Sequence, residues 1–499
     1  MKKKYYLGID QGTTGVTAIL FDRRWNQVSR GYCEEKLYYP KSGWVEHDPE
    51  DVWQCVLRSV LSAMEQVGAT GNDIICVGLD HEGESVAIWD EQTGKALYNS
   101  LVWQDRRTAA YCDTIRSKYG KIIKEKTHLP VDSYFSATKL QWLLEHVDSV
   151  PELLQKQRLR VGNMDAWVLW KMSGGAVHCT DGSTASRTML YNVQKQCWDD
   201  DLLELFGIPK EILPTICDSN LLFGWTNPAS FLGISAPISG VLNDQQAALL
   251  GQACTMPGKV KTTYGTGCFM FMNTGEHIVD SPNGILPTVA WLVDGKATYA
   301  LDGGVYISGA ATQWLRDGLQ IIESAADTDA IASSIDDTNG LFFVPAFTGL
   351  AAPYWDSYAR GMMIGITGST TREDIVRATL ESTAYQVKDL LDVMEKDTRS
   401  SIPLMRCDGG ASNNQFLMQF QADILGIPVE VPVIKETTAL GAAFMAALGI
   451  GEFDSLDDVK YTWKLERQYE PSFSDDKRES MLHEWHRAVE RSRNWAINT

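Results

Sequence analysis

Near its start the chain runs apolar into a carboxylate, Leu7-Gly8-Ile9-Asp10, and then turns through Gln11, Gly12, Thr13, Thr14 and Gly15. A tight turn of glycine and hydroxyl residues presents backbone N–H groups and hydroxyls to an anion, and the neighbouring carboxylate can hold a hydrated Mg²⁺. A plain hairpin turn uses the same residue types. TTYGTG at 262–267 and GGASNN at 409–414 repeat the pattern, and glycine there lets backbone approach a flat or anionic ligand. Asn243-Asp244-Gln245-Gln246 stands where an apolar run gives way to a small-residue helix. A carboxylate at that point can take a proton from a hydroxyl nucleophile, work worth about 10²–10⁴-fold, or it can simply cap the helix. Glu84, Trp103, Tyr134 and Phe269 combine a carboxylate with aromatic walls, a set suited to a small polyhydroxylated ligand. No GxxxxGK[ST], GxGxxG or GxSxG occurs, and the eight histidines lack metal-ligand spacing.

The elements that must position these residues alternate between strand and helix, which predicts an α/β fold. Residues 5–9 and 16–21 read as strands around the first turn, and residues 74–79 as a strand ending in the charged knot 80–84. Asp48-Pro49 caps and starts a helix whose apolar residues recur at helical spacing through Met64. Longer helices are predicted over 372–395, 414–425 and 437–448, with a strand and turn at 404–411. One weak echo joins 9–14 to 407–412, each with Asp and Gly at the end of an apolar strand. It fits either two related lobes or the ordinary use of Asp and Gly in turns.

Composition narrows the partners. The 499 residues carry a net charge of −19, which repels nucleic-acid phosphates and anionic membranes. The basic start reaches Asp10 too soon for a secretory segment, and the longest apolar stretch, 439–451, is too short to span a bilayer. Ten scattered cysteines without a CxxC pair suggest reduced thiols. A cytoplasmic protein binding neither nucleic acid nor membrane is the expectation.

Several segments together resemble the FGGY carbohydrate kinases, in particular their glycerol kinase branch. These are YFSATKLQWLLEH (134–146), GMMIGI (361–366) with DIVRATLE (374–381), GWVEHDPEDVW (43–53), VWQDRRTA (102–109), TASRTML (184–190), TTYGTGCFMFMNTGE (262–276), PAFTGLAAPYWD (345–356) and ETTALGAA (436–443). The resemblance implies two ribonuclease H-like lobes of actin/hexokinase/chaperone type, divided at 1–251 (substrate and phosphate side) and 252–499 (adenine nucleotide side), with the active site in the cleft between them. It implies ATP and Mg²⁺, with Asp10 on the metal side and Asp244 as the base. Gly83, Glu84, Trp103, Tyr134, Asp244, Gln245 and Phe269 fall in the implied substrate pocket. Thr13, Thr14, Gly15, Gly265, Thr266, Gly309, Gln313, Gly410, Ala411 and Asn414 fall on the implied nucleotide. A small polyol is the implied acceptor, with glycerol first and a tetritol, pentitol or ketopentose as the alternative. A homodimer or homotetramer is the implied assembly. Two departures weigh against glycerol: Gly83 and Thr17 stand where the branch carries arginines, removing two guanidinium groups. Gly83 is expected to leave room for a longer acceptor.

Overall fold

The computed structural model describes residues 4–496; residues 1–3 of the basic start lie outside the described residues. In the first lobe, β1 (Tyr5–Gln11), β2 (Gly15–Phe21) and β3 (Gln27–Glu34) form an antiparallel meander. β4 (Ile74–His81) and β5 (Pro237–Asn243) add to the other edge of β1 in parallel, and the short strand Gly224–Trp225 closes the sheet. β2, GVTAILF, is buried along its whole length because chain covers both faces of the sheet. α1 (Pro49–Gln66) follows β3 as the sequence predicts, with the Asp48 carboxylate accepting from Glu50 N at 2.9 Å.

The second lobe repeats this plan. β6 (Val260–Tyr264), β7 (Cys268–Gly275) and β9 (Lys296–Val305) are its antiparallel strands, with β8 (Leu286–Val293) outside β9. β10 (Met405–Asp408) and β11 (Val429–Pro432) continue in parallel, and β12 (Leu465–Tyr469) closes the far edge antiparallel. The order β9-β7-β6-β10-β11 therefore matches β3-β2-β1-β4-β5. Each lobe is ribonuclease H-like. The echo between 9–14 and 407–412 pairs the wrong turns, however. The counterpart of the β1–β2 turn is the β6–β7 turn at 265–267, and Asp408 at the end of β10 answers Asp80 on β4.

Between the lobes lie two helices. α2 (Asp244–Gly251) leaves β5 and packs towards β6 and β7; α6 (Thr437–Gly449) leaves β11 and lies on β1, β4 and β5. Each lobe thus sends a helix onto the other lobe's sheet, and a shared core including Leu242, Leu250, Phe271, Trp291, Leu440 and Phe444 forms around the crossing. Glycines permit this closeness. A Cβ would stand 2.2 Å from Ala439 O at Gly8, 2.0 Å from Ala442 O at Gly78, and 2.2 Å from Ala446 N at Gly240. α3 (Gly309–Asp317), α4 (Arg372–Thr398) and α5 (Gln415–Leu425) are among the helices of the second lobe. Among the described residues no helix is long and apolar enough to cross a membrane.

Candidate active site

The parallel strands β1, β4, β5, β6 and β10 all end at the cleft, where open α/β sheets usually bind ligands. β1 brings Asp10 beside Asp80 of β4, its direct partner in register. Asp10 Oδ2 accepts from Thr438 Oγ1 at 2.6 Å, so the first turn of α6 reaches across the cleft to this carboxylate. Burial raises the Asp10 carboxyl to about 6, and the charges of Glu436 and Asp244 push the same way. Asp80 is fully buried with neither oxygen bonded, and burial and then Asp10 hold its carboxyl well above the usual range. Oxygen donors of this kind suit a hard cation that keeps most of its water, although no group of three or more ligands is assembled among the described residues.

Asp244 is the first residue of α2, and Asn243 occupies the cap position without a side-chain cap bond. Asp244 therefore does not hold the cap position, although its carboxylate still accepts from a first-turn amide. Its Oδ1 accepts from Gln245 N at 2.6 Å and its Oδ2 from Gln245 Nε2 at 3.1 Å, leaving the side chain partly exposed at the cleft. Gln245 Oε1 in turn accepts from Lys261 Nζ at 2.6 Å, and the same ammonium donates to Thr263 Oγ1 at 2.8 Å. A residue of the second lobe thus fixes the amide beside Asp244.

Across from Asp244 lies a buried ion triad. Glu84 has φ +56 and is fully enclosed; its Oε1 accepts from Arg187 Nε at 2.6 Å. Arg187 Nη2 also lies 3.0 Å from Asp302 Oδ2 on β9, so the guanidinium links the two lobes. Its carbon sits 5.7 Å from the Tyr134 ring centre. Trp103 meets Tyr134 edge-on, with ring centres 5.7 Å apart, while its Nε1 donates to Thr13 Oγ1 at 2.8 Å. That bond joins the aromatic wall to the first glycine–threonine turn. Phe269, on β7, pairs with Gly304 of β9, and a Cβ on Gly304 would touch the ring at 3.4 Å.

Two expectations about the missing arginines are corrected here. Glu84 does carry a guanidinium, supplied by Arg187 from 103 residues away. Thr17 also has one at hand, because Arg30 Nη2 on β3 donates to its hydroxyl at 3.4 Å while Nε of the same residue bonds Glu436 at 2.9 Å. Nor does Gly83 open space. A Cβ there would stand 2.5 Å from Asn243 Nδ2, because the Asn243 side chain occupies that space.

On the second lobe the remaining turns converge. Gly309 N and Ala310 N at the start of α3 donate to Gly265 O and Thr266 O, at 3.1 and 3.0 Å. A Cβ on Gly309 would lie 2.5 Å from Gly265 O, so glycine is required by contact. Gly409, at φ +83, brings the third turn against Tyr264 O. Gly265, Thr266, Gln313 and Gly410 are exposed, as is Thr14 opposite, while Gly15 is buried within its hairpin. Ala411 lies in a short 3₁₀ turn, and Asn414 caps α5 by accepting from Leu417 N at 2.9 Å while its amide donates to Thr328 Oγ1 at 3.0 Å. Both arms of the Asn414 side chain are thus occupied within the protein. Arg187, Asp302, Lys261, Asp80 and Thr438 escaped the sequence reading. Arg187 lies inside TASRTML and Lys261 directly precedes TTYGTG, but nothing in either segment indicates a partner across the cleft.

The model of the FGGY family of carbohydrate kinases matches this chain in both its parts, the N-terminal domain over residues 5–251 and the C-terminal domain over residues 260–450. Glycerol kinase 2 of Thermotoga maritima is 50% identical over 493 residues, covering 99% of each chain. The glycerol kinase of Desulforamulus reducens is 49% identical over 497 residues, also covering 99% of each. The crystal structure of Plasmodium falciparum glycerol kinase with ADP superimposes with a TM-score of 0.91 at 33% identity and covers all of both chains. With two duplicated lobes, a carboxylate-lined cleft between them and similarity along its whole length, the chain belongs to the FGGY family of carbohydrate kinases and is an ATP-dependent polyol kinase.

Proposed function

We propose that the acceptor is glycerol, phosphorylated on a terminal hydroxyl to glycerol 3-phosphate. The observation that carries this reading is the cluster of the Glu84–Arg187–Asp302 triad with the aromatic pair Tyr134 and Trp103, to which we add Asp244 and Phe269. Its three carboxylates outnumber the single guanidinium, an excess of acceptors that suits hydroxyl hydrogens and repels an anionic acceptor. The aromatic faces cover C–H surface while the carboxylates take hydroxyl hydrogens. Similarity to glycerol kinases at about half identity supports the same acceptor.

In this reading Asp244 accepts the proton of the attacking hydroxyl, and Gln245, steadied by Lys261, orients that carboxylate. Glu84 holds a second hydroxyl. Thr13, Thr14, Gly15, Gly265 and Thr266 face the phosphates with hydroxyls and amides, while Gly309, Gln313, Gly410, Ala411 and Asn414 line the nucleoside end. Phosphoryl transfer asks mainly for positioning and charge stabilisation, and turns from two lobes supply both. Asp10, with Asp80 behind it, would hold Mg²⁺, which neutralises phosphate charge when bound. The lobes would divide near 251/252, and a cytoplasmic homodimer or homotetramer is the assembly we propose.

A coupled ADP-release screen over C3–C6 polyols and ketoses tests the acceptor. Glycerol should give the highest kcat/KM, the quantity that defines specificity. A tetritol, pentitol or ketopentose exceeding it by about tenfold, a difference of about 1.4 kcal/mol, would replace glycerol with that class. ADP release independent of any acceptor would overturn the kinase assignment of the pocket.

A further inference from the structure

We propose that Cys33 and Cys55 are a thiol pair that closes into a reversible disulfide when the protein meets a small-molecule disulfide, tying β3 to α1 beside the turn at 12–15. Along β3, residues 29, 31 and 33 turn inwards while 30, 32 and 34 face solvent. At Gly31 the helix comes so near that a Cβ would stand 1.9 Å from Ser59 O. Cys33 lies two residues further along the strand, about 6.8 Å. Cys55 lies four residues back along α1, about 6 Å. The two steps nearly match, so the crossing that demands glycine at 31 brings the two sulfurs together one layer on. Their Sγ atoms are 2.8 Å apart, and both thiols are free. Even non-bonded carbons keep about 3.5–4.0 Å, and an S–S bond needs about 2.05 Å, so joining these sulfurs asks for less than about 1 Å of movement.

The two sulfurs have different roles. Cys33 is partly exposed and meets the oxidant first, whereas Cys55 is buried. Burial and the neighbouring thiol push the Cys55 thiol up to about 12, which keeps it from attacking on its own. Arg58 Nη2 donates to Cys55 Sγ at 3.4 Å and favours the thiolate once Cys33 has reacted. In the first step the Cys33 sulfur, giving up its proton, attacks one sulfur of R–S–S–R; a mixed disulfide forms and RS⁻ leaves, taking up a proton. In the second step the Cys55 sulfur, giving up its proton, attacks the Cys33 sulfur; the protein disulfide forms and the second RS⁻ leaves and is protonated. Two protein thiols are thus oxidised while one R–S–S–R is reduced to two R–SH, and excess thiol reverses both steps.

The bond sits where it can steady the turn without moving it. Glu34, next to Cys33, pairs in register with Gly15, and Glu35 N donates to Thr14 O at 2.9 Å. The Tyr32 hydroxyl donates to the same carbonyl at 3.3 Å. The disulfide fastens this backing strand to α1. It also closes the segment between residues 33 and 55 into a loop in the unfolded chain, which resists unfolding. Oxidation is therefore a staple that leaves turnover in place.

The test treats the folded wild-type protein with oxidised glutathione, blocks remaining thiols, and maps tryptic peptides by mass. Cleavage after Lys36 and Lys41 puts Cys33 on residues 31–36 and Cys55 on residues 42–58. The two peptides should appear joined, lighter by two hydrogens, and separate again on adding dithiothreitol. In Cys55→Ser the glutathione adduct should instead persist on Cys33, at least about tenfold above its level in the wild type, because the resolving thiol is gone. The oxidised wild type should show a higher urea midpoint than the reduced protein, with kcat within about twofold. Cys33 and Cys55 both recovered as blocked thiols, or a lasting glutathione adduct on wild-type Cys33 with Cys55 free, would overturn the pairing. An unchanged urea midpoint in the joined protein would overturn the staple. If Cys55→Ser does not fold, the wild-type peptide map and midpoint decide alone.

Discussion

Replacing Gly78 by alanine should cost more than any exposed glycine substitution and should damage the active site from behind. Gly78 sits mid-strand in β4, between Gly8 of β1 and Gly240 of β5, and the three form a flat track for α6. A Cβ on Gly78 would lie 2.0 Å from Ala442 O and 2.3 Å from Ala442 C, both backbone atoms that no rotamer change can move. An ordinary carbon contact needs about 3.5–4.0 Å, so helix or strand must shift by more than 1 Å. Overpacking of this kind costs about 1–3 kcal/mol, and clash with rigid backbone belongs at the upper end. The shift also reaches chemistry, because the first turn of α6 supplies Thr438 to Asp10 and Thr437 to Asp408, each at 2.6 Å. Urea unfolding of Gly78→Ala against Gly368→Ala measures the effect, since position 368 has nothing within 4 Å of a built Cβ. We expect about 3 kcal/mol of lost stability at 78, nearly none at 368, and lower turnover at 78 alone. Equal stability of the two variants would refute the close crossing of α6 over the first sheet.

Gly83→Arg should lower kcat/KM for glycerol by about tenfold or more instead of improving it, because its Cβ enters the Asn243 amide; steady-state kinetics showing a gain would contradict this. Lys261→Met should cut turnover by about 10²-fold, as its buried ammonium holds both Gln245 and Thr263; unchanged kcat would dismiss that role. His178 packs edge-on against Trp89 and Trp170 and hydrogen-bonds Val161 O at 2.9 Å, and burial lowers its pKa from 6.5 to about 4. The unfolded chain therefore binds a proton below pH 6.5 that the folded chain refuses until about pH 4, so stability falls by up to about 3 kcal/mol across that window. Urea midpoints from pH 7 to 4.5 should show a flatter decline for His178→Phe than for the wild type, and parallel curves would exclude His178 as the source.

Local signals in the sequence located the turns and caps well, because short-range chemistry sets them. The hairpin around 10–15, the Asp48-Pro49 start of α1 and the Asn414 start of α5 follow from residue types whose partners lie a few positions away. What a residue meets after the chain returns is another matter. Glu84 and Arg187 are 103 residues apart, and Thr438 reaches Asp10 across 428. No periodicity encodes either pair. Gly8, Gly78 and Gly240 look like ordinary strand glycines until β1, β4 and β5 lie side by side. The lobe duplication was visible only as an echo between non-equivalent turns, since the equivalent ones, at 12–15 and 265–267, share little beyond Gly and Thr. Gly83 misled for the opposite reason. A missing side chain reads as space in a sequence, whereas here Asn243 fills it.

Asp244→Asn tests the account at its centre, because it exchanges one carboxylate oxygen for an amide that cannot take a proton while keeping the shape at the start of α2. Titration of the variant with ADP should give the wild-type affinity, and glycerol-dependent ADP release should fall by about 10²–10⁴-fold. Turnover within a few-fold of the wild type would contradict the account and remove Asp244 as the group that deprotonates the acceptor.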